Sequence, residues 1–166
     1  MRGPPLNLED VSAYTLSDKD RSLLLTEQKE CSFSWVTNAG RPSSVTMSFL
    51  WAKGCFWLAS IRGRKRVIAV LQRPSVAIVV SSLGTSMGPG KSLTYQGRCD
   101  VLDDPATKQW YFTTLADLTL GDNETAKPGF IKTMDSPNRV ILRVEADRLL
   151  NNYDGAKLRA AMASGS

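Results

Sequence analysis

Four cationic side chains fall within five consecutive residues, and they form the part of the sequence best suited to chemistry. This segment, called the basic turn below, consists of Arg62, Gly63, Arg64, Lys65 and Arg66. Apolar residues with helical spacing follow it, so the cations are expected at a helix start, where free backbone N–H groups and the helix dipole attract anions. Cations are unfavourable there without an anionic partner. The pattern predicts phosphate binding, with a solvated surface turn or a nucleic-acid contact as alternatives.

Histidine is absent from the 166 residues. Its absence excludes Ser-His-Asp and Cys-His nucleophilic chemistry, and every zinc site that needs an imidazole. The three cysteines, Cys31, Cys55 and Cys99, are an odd number with no CxxC spacing. They predict buried thiols in a reducing compartment and no disulfide framework. No metal site is expected, and an enzyme of this composition must move protons or hydride with other groups.

Composition and charge are those of one globular domain. Apolar residues make up 42% of the chain and charged residues 22%, and the net charge is +5, of which the basic turn supplies four. The first ten residues lack the apolar core of a signal peptide, and the longest nearly apolar run, residues 76–80, is too short to span a membrane. A cytoplasmic protein without a membrane partner is therefore expected.

The segments around the basic turn predict short strands and few helices. Ser17 begins a first helix with a capping pattern, and a period of two replaces the helical period from residue 32. Strands are predicted at residues 32–37, 44–51, 55–60, 75–82, 92–102 and 139–145. Helices are predicted at residues 64–72 and 105–118, with a loop at residues 119–137. The helix after the basic turn is expected to face the core with Val67, Ile68, Val70 and Leu71.

This order of elements predicts a mainly β fold with short helices, arranged as a small closed or nearly closed antiparallel barrel. Residues 75–82 are apolar on both faces, which favours a central strand. Residues 1–15 are predicted to be a flexible N-terminal arm, residues 16–150 the single domain, and residues 151–166 a C-terminal tail, helical or frayed from Leu149 onward.

Several segments together resemble the pyridoxamine 5'-phosphate oxidase-like split-barrel superfamily. They span about residues 16–150 and keep the family's order and spacing. The segments are the hairpin turn at residues 38–42, Trp57-Leu58-Ala59-Ser60, the basic turn, Leu71-Gln72-Arg73-Pro74 before the strand at residues 76–80, Thr94-Tyr95-Gln96-Gly97-Arg98, and residues 139–145. The resemblance implies a six-stranded antiparallel split β-barrel.

The resemblance also implies a cofactor and an assembly. Members of this superfamily hold FMN, or in some branches the deazaflavin coenzyme F-420, in a groove at the interface of a homodimer. The family's phosphate-binding cations fall on Lys65 and Arg66, with Arg62 and Arg64 suited to a polyanionic tail such as that of F-420. Ser60 corresponds to a position beside the phosphate, and Val45 to a second-strand position whose backbone faces the ring system.

Departures from the family pattern narrow the function. Ser43 and Ser48 stand where true pyridoxamine phosphate oxidases carry cations, and a chain without histidine lacks their C-terminal Arg-x-His motif. The expected function is a flavin-type oxidoreductase, binding FMN or, as a close second, F-420, that transfers hydride to or from an unidentified small molecule. Its proton source is water or a tyrosine hydroxyl. The alternatives are a basic all-β nucleic-acid-binding module and a cofactor-binding or haem-handling protein without turnover.

Overall fold

One curled antiparallel sheet carries the fold, and the computed structural model describes it over residues 9–164. The described residues form seven strands and five helices. In chain order these are α1 (Asp18–Glu27), β1 (Glu30–Val36), β2 (Pro42–Ser48), β3 (Leu50–Ala52), β4 (Cys55–Ile61), α2 (Lys65–Gln72), β5 (Ser75–Ser81), β6 (Lys91–Leu102), α3 (Pro105–Leu120), α4 (Lys127–Met134), β7 (Arg139–Asp154) and α5 (Gly155–Ser164). The strand order is β2-β1-β5-β6-β7-β4-β3. β5 therefore lies inside the sheet, between β1 and β6, as predicted.

The segment predicted as one strand at residues 44–51 is two strands, which makes seven strands and corrects the prediction of six. β2 pairs with β1 at one edge of the sheet, and β3 pairs with β4 at the other edge. Phe49 links them, and its backbone N–H donates to the Lys29 carbonyl at 3.0 Å. Because the chain passes directly from one edge to the other, the sheet must curl. The alternation of apolar and polar residues continues through Phe49. The sequence therefore gives no sign that the chain changes its pairing strand there, from β1 to β4.

The concave side of the sheet contains the main core. Phe33, Phe56, Leu58 and Ile78 are completely buried there. Around Phe56 lie the rings of Phe49, Trp51 and Tyr95, with centroid distances of 5.4, 4.8 and 5.5 Å. Edge and tilted contacts of this kind add to the free energy gained by burying apolar area. The alternation predicted for the second strand is therefore a core-facing pattern.

Helices α1 and α3 begin where the sequence predicts. The Ser17 hydroxyl accepts from the Asp20 backbone N–H at 3.1 Å, and the Asp104 carboxylate accepts from the Thr107 N–H at 2.9 Å. Helix α2 also forms, and buries Val67 and Val70 as predicted. Its other two predicted core residues are exposed, Ile68 by 44% and Leu71 by 63%. That part of the prediction is wrong, because the buried face of the helix consists of Val67, Ala69 and Val70. Ile68 and Leu71 therefore lie on its surface.

The C-terminal third differs most from the sequence prediction. Residues 119–137 are not a loop, because α3 extends to Leu120 and α4 packs on it. Helix α4 has the sequence KPGFIKTM, whose proline and glycine resemble a loop. Ion pairs hold it at both ends: Lys127 contacts Asp117 at 2.8 Å, and Lys108 contacts Asp135 at 2.6 Å. Such contacts between distant residues are invisible to local sequence patterns.

The last strand is also longer than predicted. β7 runs to Asp154 along the whole of β6, and α5 follows it, so the tail predicted to be helical or frayed from Leu149 begins as strand. Residues 14–16 lie against its end, where the Asp154 N–H donates to the Tyr14 carbonyl at 2.7 Å. Residues 1–8 of the predicted arm lie outside the described residues. Among the helices of residues 9–164, none has the length and apolarity needed to cross a bilayer.

The three cysteines are free thiols. Cys31 and Cys99 are buried, as predicted, whereas Cys55 is half-buried. Burial raises the pKa of both Cys31 and Cys99 to about 12. Because the thiolate is the nucleophilic form, these two thiols are unreactive at neutral pH and serve as packing groups.

Candidate functional site

The basic turn connects the end of β4 to the start of α2, and its four cations have different surroundings. Arg62 forms an ion pair with the Asp103 carboxylate. Arg64 and Lys65 are exposed, whereas Arg66 is half-buried. Of the four, Arg66 is the one that lines the groove between β2 and β4 described below. The turn therefore presents one cation to this groove and two to solvent.

The N-terminus of α2 supplies further donors to the same region. Arg64 is the N-cap residue, and its side chain makes no capping hydrogen bond. The first backbone N–H groups of a helix have no partner inside the helix, and no acidic residue lies in this first turn. Both features leave the positive end of α2 uncompensated, which favours an anion there.

The groove that contains Arg66 has a volume of about 380 Å³. It lies between β2, β4 and the pair of helices α3 and α4. The sequence predicts α3 but not α4. Its lining residues are Met47, Ser48, Ala59, Arg66, Tyr111, Leu115, Thr119, Phe130, Met134 and Arg139. Two arginines and no carboxylate are among these residues, so the groove is positively charged and otherwise largely apolar.

Arg66 carries an unsatisfied donor. Its Nε atom is buried and has no hydrogen-bond partner within residues 9–164. A buried N–H without a partner costs roughly 1–3 kcal/mol, so such an atom requires an explanation. Burial, with the nearby charge of Arg64 as a second cause, lowers the pKa of Arg66. An arginine nevertheless stays charged at neutral pH, and a phosphate oxygen would satisfy both the donor and the charge.

Arg139 is a groove residue that the sequence analysis did not identify. It is the first residue of β7 and pairs with Ile61, the last residue of β4. This register brings it beside the basic turn although 73 positions separate it from Arg66. Its Nε donates to the Met134 carbonyl at 3.0 Å, which joins it to the end of α4. The antiparallel pairing of β4 with β7 is the signal that would have revealed it.

Tyr111 contributes a hydroxyl group to the groove. It lies on α3, is only 2% exposed, and packs in a second, smaller core with Trp57, Phe112 and Ile141. Burial raises the pKa of Tyr111, while the Ala59 backbone and the Arg139 charge act in the opposite direction. The phenol is therefore neutral at neutral pH, and it can donate a hydrogen bond.

Comparison with known proteins identifies the fold. No protein-family model and no curated protein matches the sequence. A conserved hypothetical protein from Mycobacterium tuberculosis superposes with a TM-score of 0.74 at 16% identity, covering 87% of this chain and 89% of that one. An F-420 reductase has a TM-score of 0.60 at 21% identity, covering 81% of this chain and 98% of its own. A pyridoxamine 5'-phosphate oxidase candidate from Listeria innocua has a TM-score of 0.59 at 17% identity, with the same coverage, 81% and 98%.

The chain has the same split-barrel fold as these solved structures. The resemblance noted in the sequence is thereby confirmed at the level of fold. In this split barrel, Gly97 lies at a β6–β7 irregularity that falls between Gln96 and Gly97. The basic turn follows β4 and leads into α2, as the resemblance implies.

Two predicted site residues lie elsewhere in the split barrel. Ser60 is 2% exposed, and alternation along β4 places it on the core face with Phe56 and Leu58, opposite Ala59. Its hydroxyl is buried without a hydrogen-bond partner among the described residues. Val45 lies in the edge strand β2 and packs against the main core. Neither side chain is among the groove-lining residues, so Arg66 is the predicted residue that the structure brings into the groove.

Proposed function

We propose that the protein is a flavin-type oxidoreductase that holds FMN by its phosphate at Arg66 and the N-terminus of α2, and that it transfers hydride to or from a small molecule. The observation that carries the proposal is the Arg66 Nε, which is buried without a hydrogen-bond partner among the described residues. It belongs to a groove whose described lining residues include two arginines and no carboxylate. A phosphate is the cofactor group that matches this donor set. The likeness of the fold to an F-420 reductase and to an oxidase candidate supports a redox role.

Each groove residue then has a definable task. Arg66 and the α2 amides would bind phosphate oxygens, while Leu115, Phe130 and Met134 exclude water and so strengthen those hydrogen bonds. When bound, the flavin supplies the hydride chemistry, and the protein supplies binding, orientation and electrostatics. Tyr111 keeps its proton, because burial raises its pKa, and its hydroxyl would donate a hydrogen bond. The same shift makes the phenol a weaker acid, which favours water as the proton source.

We place FMN before F-420 because one cation of the basic turn is already paired with a carboxylate. The resemblance assigns Arg62 and Arg64 to a polyanionic tail of the F-420 type. Arg62 is engaged with Asp103, so part of its charge is already neutralised. Arg64 and Lys65 stay exposed and could meet extra negative charge. The deazaflavin therefore stays the second candidate.

The nucleic-acid alternative loses support from the same division of the cations. A nucleic-acid footprint needs several cations on one accessible surface, because each neutralised phosphate adds to the affinity. One arginine is paired with a carboxylate and another lies in a groove, which leaves two exposed cations in the turn. The aromatic residues that a single-strand binder would expose, such as Phe56 and Trp57, are buried.

The visible spectrum of freshly purified protein, followed by separate titrations with FMN, F-420 and riboflavin, tests the proposed function. We expect flavin absorbance, or saturable FMN binding that is much tighter than riboflavin binding because riboflavin lacks the phosphate. The bound cofactor should be reduced and reoxidised reversibly when electron donors and acceptors are added. A colourless protein that binds neither cofactor and retards DNA would support the nucleic-acid module instead. A haem spectrum, or a bound flavin that never cycles, would support the storage role.

We further propose that the protein is a homodimer. The sequence favours an interface on the aromatic- and Met-rich strands predicted at residues 44–51 and 55–60, but Met47 and Phe49 are buried in the chain's own core. The exposed apolar residues Ile68 and Leu71 of α2, beside the basic turn, offer the apolar surface instead. Sedimentation should give twice the 18.2 kDa of one chain, and Leu71→Asp should shift it toward the monomer. A monomer at micromolar concentration with cofactor bound would contradict this prediction.

A further inference from the structure

Two guanidinium groups line one groove although they come from distant parts of the sequence. Arg66 comes from the first turn of α2, and Arg139 comes from the start of β7. No carboxylate is found among the described groove-lining residues, so nothing in the lining neutralises these two charges. Like charges in one site repel each other. Their arrangement is understandable if an anion of more than one negative charge occupies the groove.

Arg139 is held in place by the fold. Its backbone pairs with Ile61 in the β4–β7 ladder. Its Nε donates a hydrogen bond to the Met134 carbonyl oxygen at 3.0 Å, and this bond orients the guanidinium plane. That bond uses one of the five N–H donors of the group. A planar guanidinium that is already oriented loses little freedom when it binds a phosphate, and it can engage two oxygens at once.

We propose that Arg139 is a second phosphate ligand and that, with Arg66, it makes the groove selective for a terminal phosphomonoester. This inference rests on the proposed function and specifies its ligand. A phosphomonoester carries a charge of about −1.5 to −2 at pH 7, with a second pKa near 6. A phosphodiester carries a single charge and one fewer unsubstituted oxygen. Two arginines match the dianion, so the groove should favour FMN over F-420, whose phosphate is a diester.

Three variants, with Arg66→Ala for comparison, and four probes test the second ligand. Arg139→Gln removes the charge, and Arg139→Lys keeps the charge without the planar fork. Arg41→Gln is the control, because it removes an exposed charge next to the start of β2, whereas the groove residues Met47 and Ser48 lie at the end of that strand. The probes are FMN, riboflavin, F-420 and inorganic phosphate. We expect Arg139→Gln to weaken FMN binding about ten- to a hundredfold. Riboflavin binding should not change, Arg139→Lys should lose less, and Arg41→Gln should match the wild type.

The pH profile separates a ligand from a merely structural residue. Wild-type FMN affinity should fall as the pH drops through about 6, where the phosphate dianion gains a proton. In Arg139→Gln this step should shrink, because one arginine no longer distinguishes the dianion from the monoanion. Circular dichroism of each variant monitors the fold, and Arg139→Lys replaces Arg139→Gln if the latter does not fold.

The outcomes distinguish this inference from the proposed function. If FMN binds Arg139→Gln as tightly as the wild type while Arg66→Ala weakens it, the second ligand is wrong and the proposed function stands. F-420 bound as tightly as FMN would overturn the selectivity. If the wild type binds no flavin or deazaflavin, the proposed function is wrong. Inorganic phosphate then decides: binding that Arg139→Gln weakens supports the two-arginine site, and unchanged or absent binding overturns it.

Discussion

Replacement of Arg66 by alanine should weaken FMN binding about ten- to a hundredfold and leave the fold intact. The change removes a charge-assisted hydrogen bond to phosphate of roughly 1.5–3 kcal/mol, which corresponds to that loss of affinity. The free energy of unfolding of the cofactor-free protein should hardly fall, because the buried Arg66 Nε has no partner in the described chain that the substitution could orphan. Fluorescence titration with FMN measures the affinity, and thermal unfolding without cofactor measures stability.

Arg64→Ala is the matched control for this prediction. It removes the same charge from the same turn, but Arg64 is exposed and outside the groove lining. A solvated charge contributes little to affinity or stability, so FMN binding should weaken by less than tenfold. Equal losses in Arg64→Ala and Arg66→Ala would mean that the turn acts as a diffuse positive surface. Unchanged FMN affinity in Arg66→Ala would mean that the phosphate binds elsewhere.

The sequence located the basic turn but could not assign distinct roles to its cations. Density of charge at a helix start is a local property, and it correctly placed four cations at the junction of β4 and α2. Which of them faces a groove depends on how α2 packs. The prediction that Ile68 and Leu71 face the core shows the same limit, because a short helix with apolar residues on more than half its surface does not specify its own rotation.

The groove itself depends on contacts between segments far apart in sequence. Arg139 enters through the β4–β7 register, and the α4 side chains Phe130 and Met134 enter through a helix whose residues resemble a loop. Neither fact can be read from a window of neighbouring residues. The strands were predictable because alternation is local, and their partners were not: the change of edge at Phe49 turned six predicted strands into seven.

Gly97 shows how a weak sequence signal gains a physical meaning from the structure. The resemblance places a glycine in this strand without saying why. In the sheet, β6 and β7 approach closely at an irregularity next to Gly97. A Cβ atom there would overlap the Glu145 carbonyl oxygen, and it would lie 2.9 Å from the carbonyl carbon and 3.1 Å from the Ala146 Cα. These neighbours are backbone atoms, so they cannot rotate away as a side chain would.

Gly97→Ala should therefore destabilise the fold by about 3 kcal/mol, the upper end of the usual range for overpacking, or prevent folding. The two strands would have to separate along the most extensive pairing in the sheet, which joins twelve residues of β6 to β7. Chemical denaturation measures the change, and Gly129→Ala is the control, because a Cβ in α4 meets no atom within 4 Å. That control should be neutral or stabilising by up to about 1 kcal/mol, since alanine favours helix over glycine. A Gly97→Ala protein as stable as the wild type would mean that β6 and β7 lie farther apart at this position.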